Sequence, residues 1–165
     1  MSAGGIFRPG MRVYFVPFVA GIVLAVSAFL PWVVVGGEPM NGIPDVAGLW
    51  IVGLGAAAAL LAMLSLITRK NSRHPLLLVG LIALGIMFLS WRILPRTAGE
   101  RALTISQAFA IVENTPMTGP PASFVGVGIY VGTAASIVLI GFGLTIVVRR
   151  AAQPYVVPDP DDDVE

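Results

Sequence analysis

The sequence predicts an all-α integral membrane protein built as a bundle of four membrane-spanning helices. Of its 165 residues, 56% are hydrophobic and only 12% are charged, whereas a soluble domain carries about 25% charged residues. The charged residues lie in short clusters that separate long uncharged runs, as in polytopic membrane proteins. Each run holds about twenty residues, which as a helix is long enough to cross a hydrocarbon core of ~30 Å.

The predicted spans are residues 13–35, 48–67, 76–94 and 125–148, within a membrane domain of residues 13–150. A cleaved signal peptide is the alternative for the first run, because Arg8 and Arg12 precede it and Val26-Ser27-Ala28 resembles a cleavage site. The apolar run continues past Ala28, which favours a span. Residues 1–12 form a short N-terminal segment. Residues 151–165 are acidic and contain three prolines, which predicts a disordered tail.

The two outer connections differ in length and character. Residues 36–47 are rich in Gly and Pro, which predicts a tight loop. In the longer connection, Thr97 and Glu100 fit a capping box. Apolar residues then recur at helical spacing, at Ala102, Ile105, Phe109 and Val112. We therefore predict a short amphipathic helix over 98–113, with these four residues as its contact face, at the membrane surface or across the bundle.

Charge bias predicts the orientation. Seven Lys and Arg residues adjoin one side of the predicted bundle, and three (Arg92, Arg96 and Arg101) adjoin the other. The richer side is expected in the cytoplasm. The protein is therefore predicted to lie in a bacterial plasma membrane with both termini on the cytoplasmic side. Beyond Arg8 and Arg12, this side carries an inner positive cluster of Arg69, Lys70, Arg73, Arg149 and Arg150.

Aromatic and glycine residues indicate how the spans are anchored and packed. One aromatic residue falls at the outer end of each span, which predicts an interfacial belt of Trp32, Trp50, Trp91 and Tyr130. Gly128 and Gly132 have GxxxG spacing, and Gly141 follows. Small residues let helix backbones approach closely. These glycines therefore predict either packing within the bundle or an interface with another subunit.

The two halves of the membrane domain resemble each other. Phe29-Leu30-Pro31-Trp32 matches Phe88-Leu89-Ser90-Trp91, 59 residues later, and Gly48-Leu49-Trp50 matches Gly128-Ile129-Tyr130, 80 residues later. The difference corresponds to an insertion that contains the amphipathic segment. This predicts two parallel hairpins related by an axis along the membrane normal. Chance similarity between two apolar hairpins is the alternative.

Candidate chemistry is sparse. No ionisable residue lies in the central part of a predicted span, and the polar groups there are hydroxyls that can bond their own helix, such as Ser27, Ser65, Thr133, Ser136 and Thr145. His74 is the only histidine, and the acidic run 161–163 is expected to be solvated. The absence of cysteine excludes disulfides, thiolate nucleophiles and Cys-ligated metals. We therefore predict no cofactor, no metal and no enzymatic activity.

Two resemblances to known families can be stated. Trp32 followed by Gly48-Leu49-Trp50 resembles the W…GLW signature of claudin-type tetraspans. That family's paired cysteines are missing and the loop is short for its extracellular sheet, so we take this match as accidental. The Leu30-Pro31-Trp32 exit, the Gly-rich loop and the start of the last span at Gly126 to Tyr130 are similar to small four-span bacterial membrane proteins of unassigned function. The second resemblance implies a bundle and no particular activity.

These observations favour an accessory or structural subunit that binds other membrane proteins. Its expected partners are membrane lipids and either other membrane subunits or further copies of itself, with no nucleic acid. The alternative is a small oligomeric transporter or channel, for which Thr133 and Ser136 are the candidate polar groups.

Overall fold

The structure, a computed structural model, describes residues 12–68, 73–116 and 119–151. A 3-10 turn at Arg12–Tyr14 leads into the first helix. The elements that follow are α1 (Phe15–Ser27), β1 (Pro31–Val35), β2 (Glu38–Asn41), α2 (Val46–Thr68), α3 (Arg73–Glu113), β3 (Ser123–Val125) and α4 (Val127–Ala151).

Three of the four helices, α2, α3 and α4, are long and apolar enough to cross a membrane. The first apolar run differs from the prediction of a single helix over 13–35. Its helix α1 has 13 residues, a length of about 20 Å, and Pro31–Val35 forms a strand instead. Pro31 has no N–H and disfavours a helical Leu30, so the helix ends before it.

A three-stranded antiparallel sheet in the order β2-β1-β3 makes the all-α prediction wrong. The region predicted as a tight loop, 36–47, contains β2, which pairs with β1 so that Val35 faces Glu38. Gly36 and Gly37 connect the strands with φ of 60° and 93°, the positive values that two-residue hairpin turns require. The loop itself supplies only β2. The other two strands of the sheet come from outside the loop: β1 from the predicted first span and β3 from the second connection.

The predicted surface helix 98–113 is not a separate element. Helix α3 runs for 41 residues through Pro95 to Glu113, about 61 Å. The Thr97 hydroxyl donates to the carbonyls of Ile93 and Leu94, each at 3.2 Å. These bonds point back along α3, as expected for a residue inside a helix. Asn114, with φ of 51°, ends α3 in the left-handed conformation common at helix C-termini.

The helices form a bundle in which α1 packs between α2 and α4, and α3 packs on α4. Helices α1 and α2 touch through backbone, since a Cβ atom at Gly55 would lie 2.6 Å from the carbonyl oxygen of Gly21. The Tyr14 ring meets the Phe142 ring edge-on at 5.2 Å, which joins the start of α1 to the last part of α4. The start of α1 and the end of α4 therefore lie at one end of the bundle, and the sheet lies at the other end.

The proposed repeat of two parallel hairpins is not confirmed. Gly48 and Gly128 are both buried in the first turns of α2 and α4, followed two residues later by the exposed Trp50 and Tyr130. The other segment diverges, because the first copy, around Trp32, leaves α1 for a strand while the second copy stays inside α3.

Candidate functional site

Trp32 lies where the sheet meets helices α1 and α4. It is fully buried, and its indole N–H donates to the carbonyl oxygen of Ser27 at 2.9 Å. Its ring lies against two glycines. A Cβ atom at Gly42 would overlap the ring, and one at Gly128 would lie 2.7 Å from Trp32 Cδ1. Trp32 therefore fastens the sheet to the end of α1 and the start of α4.

This position removes Trp32 from the predicted interfacial belt. The prediction assumed that Trp32 lay on the lipid-facing surface of a helix, but α1 ends five residues earlier, at Ser27, and the strand turns the ring into the bundle. The other three residues of the belt, Trp50, Trp91 and Tyr130, have exposed side chains on the helices. Their location at a lipid interface stays a prediction.

The predicted packing glycines have different surroundings. Gly128 and Gly132 are buried. A Cβ atom at Gly132 would lie 2.8 Å from Ser27 Oγ and would overlap the end of the Met87 side chain, so this glycine lets α4 approach both α1 and α3. Gly141 is exposed and has open space around it, which differs from packing within the bundle. Gly143 makes that contact instead, against Leu77 of α3.

The sheet and residues 95–113 of α3 form what we call the outer module. Strand pairing puts Val33, Val35, Glu38 and Met40 on one face of the sheet. Helix α3 covers the β1 and β3 half of this face, where Val33 and Val35 are buried and Gly99 lies close to the Ser123 hydroxyl. The β2 half is left uncovered.

A groove of about 350 Å³ lies between α3 and β2, and we call it the outer groove. Its apolar floor includes Val33, Val35 and Met40. One wall carries the carboxylates of Glu38 and Asp45, and the α3 wall carries the guanidinium of Arg101. Within the described residues, the ion pair that the structure shows joins Arg96 to Glu100 at 2.9 Å. The charges of the outer groove therefore have no salt-bridge partner in the described part of the chain.

A second groove, of about 560 Å³, runs between α2 and α3, and we call it the α2–α3 seam. Its walls are apolar apart from Ser90. Leu94 lines both the seam and the outer groove, so the two grooves adjoin at this residue of α3. The residues of the seam are Val46, Ala47, Trp50, Ile82, Ile86, Leu89, Ser90, Ile93 and Leu94.

The four residues predicted as the contact face of the surface helix lie in two different places. Ala102 and Ile105 line the outer groove. Phe109 and Val112 lie further along α3 and are 61% and 82% exposed, and Ile111, which the prediction missed, is 69% exposed. We call Phe109, Ile111 and Val112 the α3 tip. The helical periodicity could not identify Ile111, because it lies off the stripe that the other residues form.

The remaining polar candidates bond within their own helices. Ser27, Thr133 and Ser136 donate to the carbonyls of Leu24, Ile129 and Gly132 at 2.6–2.8 Å. Ser65 does the same to Leu61 at 2.9 Å. In the described ranges no three His, Asp or Glu side chains come together in a way that could hold a metal ion.

The basic residues of the predicted inner cluster can be placed in part. Arg73 begins α3, and Arg149 and Arg150 lie in the last turn of α4, at the same end of the bundle. Arg69 and Lys70 fall outside the described residues, as do the acidic run 161–163 and the predicted tail. His74 is exposed near the start of α3.

Comparisons with protein-family models, with curated proteins and with solved structures find no match to this chain.

Proposed function

We propose that this chain is a non-catalytic, multi-pass protein of a bacterial cytoplasmic membrane, with both termini inside, that binds other membrane proteins through its outer module. The observation that carries this proposal is the α3 tip. Three large apolar side chains stand 61–82% exposed beyond the sheet. Burying such a side chain fully contributes about 1.5–3 kcal/mol, so a partner that covered all three would gain several kcal/mol.

Charges around the tip argue that it lies outside the hydrocarbon core. Arg96, Glu100 and Arg101 precede it on α3, and Glu113 follows it. An Arg side chain at the centre of a bilayer costs about 2.5–3.5 kcal/mol, so a segment with four charges belongs in the headgroup region or in water. An α3 tip that stands in water needs cover from a partner protein for its apolar side chains.

The orientation rests on the basic residues. Arg12, Arg73, Arg149 and Arg150 lie at the end of the bundle opposite the sheet, and in the sequence seven Lys and Arg residues adjoin this side against three on the other. An excess of Lys and Arg faces the cytoplasm, which supports an extracytoplasmic position for the outer module. The spans contain few polar residues, which supports a structural role over a catalytic one.

The test is recovery of a hetero-assembly and its dependence on the tip. Gentle detergent extraction of native membranes should give an assembly larger than the chain and its own oligomers, and a photo-crosslinker at Phe109 should attach a different membrane protein. Phe109→Asp and Val112→Asp should each weaken that assembly at least about tenfold, the equivalent of 1.4 kcal/mol.

Gln107→Asp is the matched control, because Gln107 is an exposed polar residue on the same turns of α3. It should leave the assembly intact. Migration of the wild-type chain without any other protein, or equal effects of Gln107→Asp and Phe109→Asp, would contradict the proposal.

The alternative of an oligomeric transporter or channel requires a polar path. Thr133 and Ser136 both donate to carbonyls of α4 itself, and Ser136 is buried inside the chain. Flux into proteoliposomes that disappears when both hydroxyls are removed would favour this alternative.

A further inference from the structure

Apolar grooves of about 580 and 630 Å³ run between α3 and α4 and between α1 and α4. The α2–α3 seam, of about 560 Å³, differs from them because it adjoins the charged outer groove at Leu94. The other neighbouring helices meet closely at glycines: α1 and α2 at Gly21 and Gly55, and α3 and α4 at Gly80 and Gly143. Gly132 brings α4 against Ser27 of α1. Between α2 and α3 the apolar side chains border a groove that adjoins the outer groove at Leu94.

The lining changes character along this channel. The seam has apolar walls apart from Ser90, and the lining of the outer groove then includes Glu38, Asp45 and Arg101. An occupant that matches both parts is apolar along the seam and charged beyond it. A helix that crosses the membrane and continues outside it has this composition, and α3 of a second copy is such a helix.

The charges in the outer groove are self-complementary. Glu38 and Asp45 lie on the hairpin wall, and Arg101 lies on the α3 wall. In a symmetric dimer the same patch is used by both copies. A two-fold axis parallel to the channel places the α3 wall of each copy against the hairpin wall of the other. The guanidinium of one copy then faces the carboxylates of its partner, twice.

This axis is compatible with a shared membrane. The channel follows α3, which is one of the three helices able to cross the bilayer, so an axis along it is roughly parallel to the membrane normal. Two copies inserted in the same direction are related by an axis of that kind. The pairing also needs no change in height, since Glu38, Asp45 and Arg101 all line the same groove of about 350 Å³.

We propose that this chain forms a symmetric dimer in which α3 of each copy packs along the α2–α3 seam and outer groove of the other, with Arg101 paired to Glu38 and Asp45 of the partner copy. The α3 tip lies outside the channel lining. The dimer therefore goes beyond the proposed function and does not rest on it.

Charge reversal tests the pairing. Dimerisation of the full chain would be measured in liposomes by energy transfer between two labelled populations. Arg101→Glu should weaken the dimer at least tenfold, and Glu38→Arg should also weaken it. The double variant R101E/E38R should restore most of the lost affinity. Arg96→Glu is the control, because Arg96 is on the same helix but lies outside the channel lining.

Disulfide trapping tests the geometry in a chain that has no native cysteine. One population carries Ile105→Cys and the other carries Met40→Cys, both exposed residues of the outer groove. Mild oxidation should give a disulfide between the two populations. Ile137→Cys, exposed on α4 and away from the channel, should not react with Met40→Cys.

The outcomes separate the dimer from other occupants. A wild-type chain that is monomeric at every density in the liposomes would overturn the proposal. Equal losses in Arg101→Glu and Arg96→Glu, or no rescue by the double variant, would overturn the pairing. Trapping of a different protein by Met40→Cys in native membranes, without the copy-to-copy disulfide, would overturn the second copy as the occupant. Circular dichroism of each variant shows that it is folded.

Discussion

Replacing Trp32 with alanine should lower the free energy of unfolding by about 3–5 kcal/mol, the range for truncating a buried Phe or Trp. The side chain is fully buried, so the substitution removes all of its packing and leaves a cavity between the sheet and the bundle. About 0.5–1.5 kcal/mol of the loss is the hydrogen bond from the indole N–H to Ser27. Trp32→Phe keeps most of the ring and should cost about 1–2 kcal/mol.

Thermal unfolding in lipid nanodiscs would measure these losses. For a chain of this size, 1 kcal/mol shifts Tm by about 2–4 °C, so Trp32→Ala should lower Tm by roughly 6–20 °C. Tyr130→Ala is the control, since Tyr130 is 59% exposed, lies outside the seam and the outer groove, and should cost less than about 1 kcal/mol. Equal shifts for the two variants would refute the placement of Trp32 in the core and would favour its predicted position in an interfacial belt.

Three further substitutions test a helix crossing and a surface ion pair. Gly53→Ala should leave the stability unchanged or raise it by up to about 1 kcal/mol, because nothing lies within 4 Å of the added Cβ. Gly55→Ala should lower the stability by about 1–3 kcal/mol, because its Cβ would lie 2.6 Å from the carbonyl oxygen of Gly21; equal melting temperatures would contradict this crossing. Arg96→Ala should change the free energy of unfolding by less than about 1 kcal/mol, since its ion pair with Glu100 is exposed; a larger loss would show that the pair is shielded from solvent.

Helices α2, α3 and α4, which are long and apolar enough to cross a membrane, were accessible to sequence reasoning because hydropathy and length are local properties. The end of α1 was not assigned correctly. The run of valines at 33–35 followed by Gly36 and Gly37 is a hairpin signal, but the same valines also fit the lipid-facing end of a span. Only the pairing of Val33 with Val125, 92 residues later, decides for the strand.

The continuity of α3 was hidden by two local signals that usually mark a boundary. Pro95 removes one intrahelical N–H, and Thr97 with Glu100 has the spacing of a capping box. In the structure the Thr97 hydroxyl bonds back to Ile93 and Leu94, and Glu100 accepts from Arg96. Packing of α3 against β1 and β3 holds the helix together beyond the proline, and the sequence does not reveal that packing.

The outer groove could not have been assembled from sequence. Glu38 and Asp45 lie in the first connection and Arg101 in the second, so their proximity depends on how α3 crosses the sheet. The packing role of individual glycines was easier to predict from the sequence. Gly128 and Gly132 have the spacing that brings two small residues to one side of a helix, but the spacing does not say that one of their neighbours is the Trp32 ring.

The distance between spin labels at Ile82 and Val112 tests most directly whether α3 is one continuous helix through Pro95. Both side chains are exposed on α3, and the chain has no native cysteine to interfere with labelling. One continuous helix separates them by thirty residues, which predicts about 45 Å. A helix that broke at Pro95 and lay along the membrane surface would give about 32 Å. A dipolar distance near 45 Å in lipid is the expected result, and one near 32 Å would contradict the outer module as described.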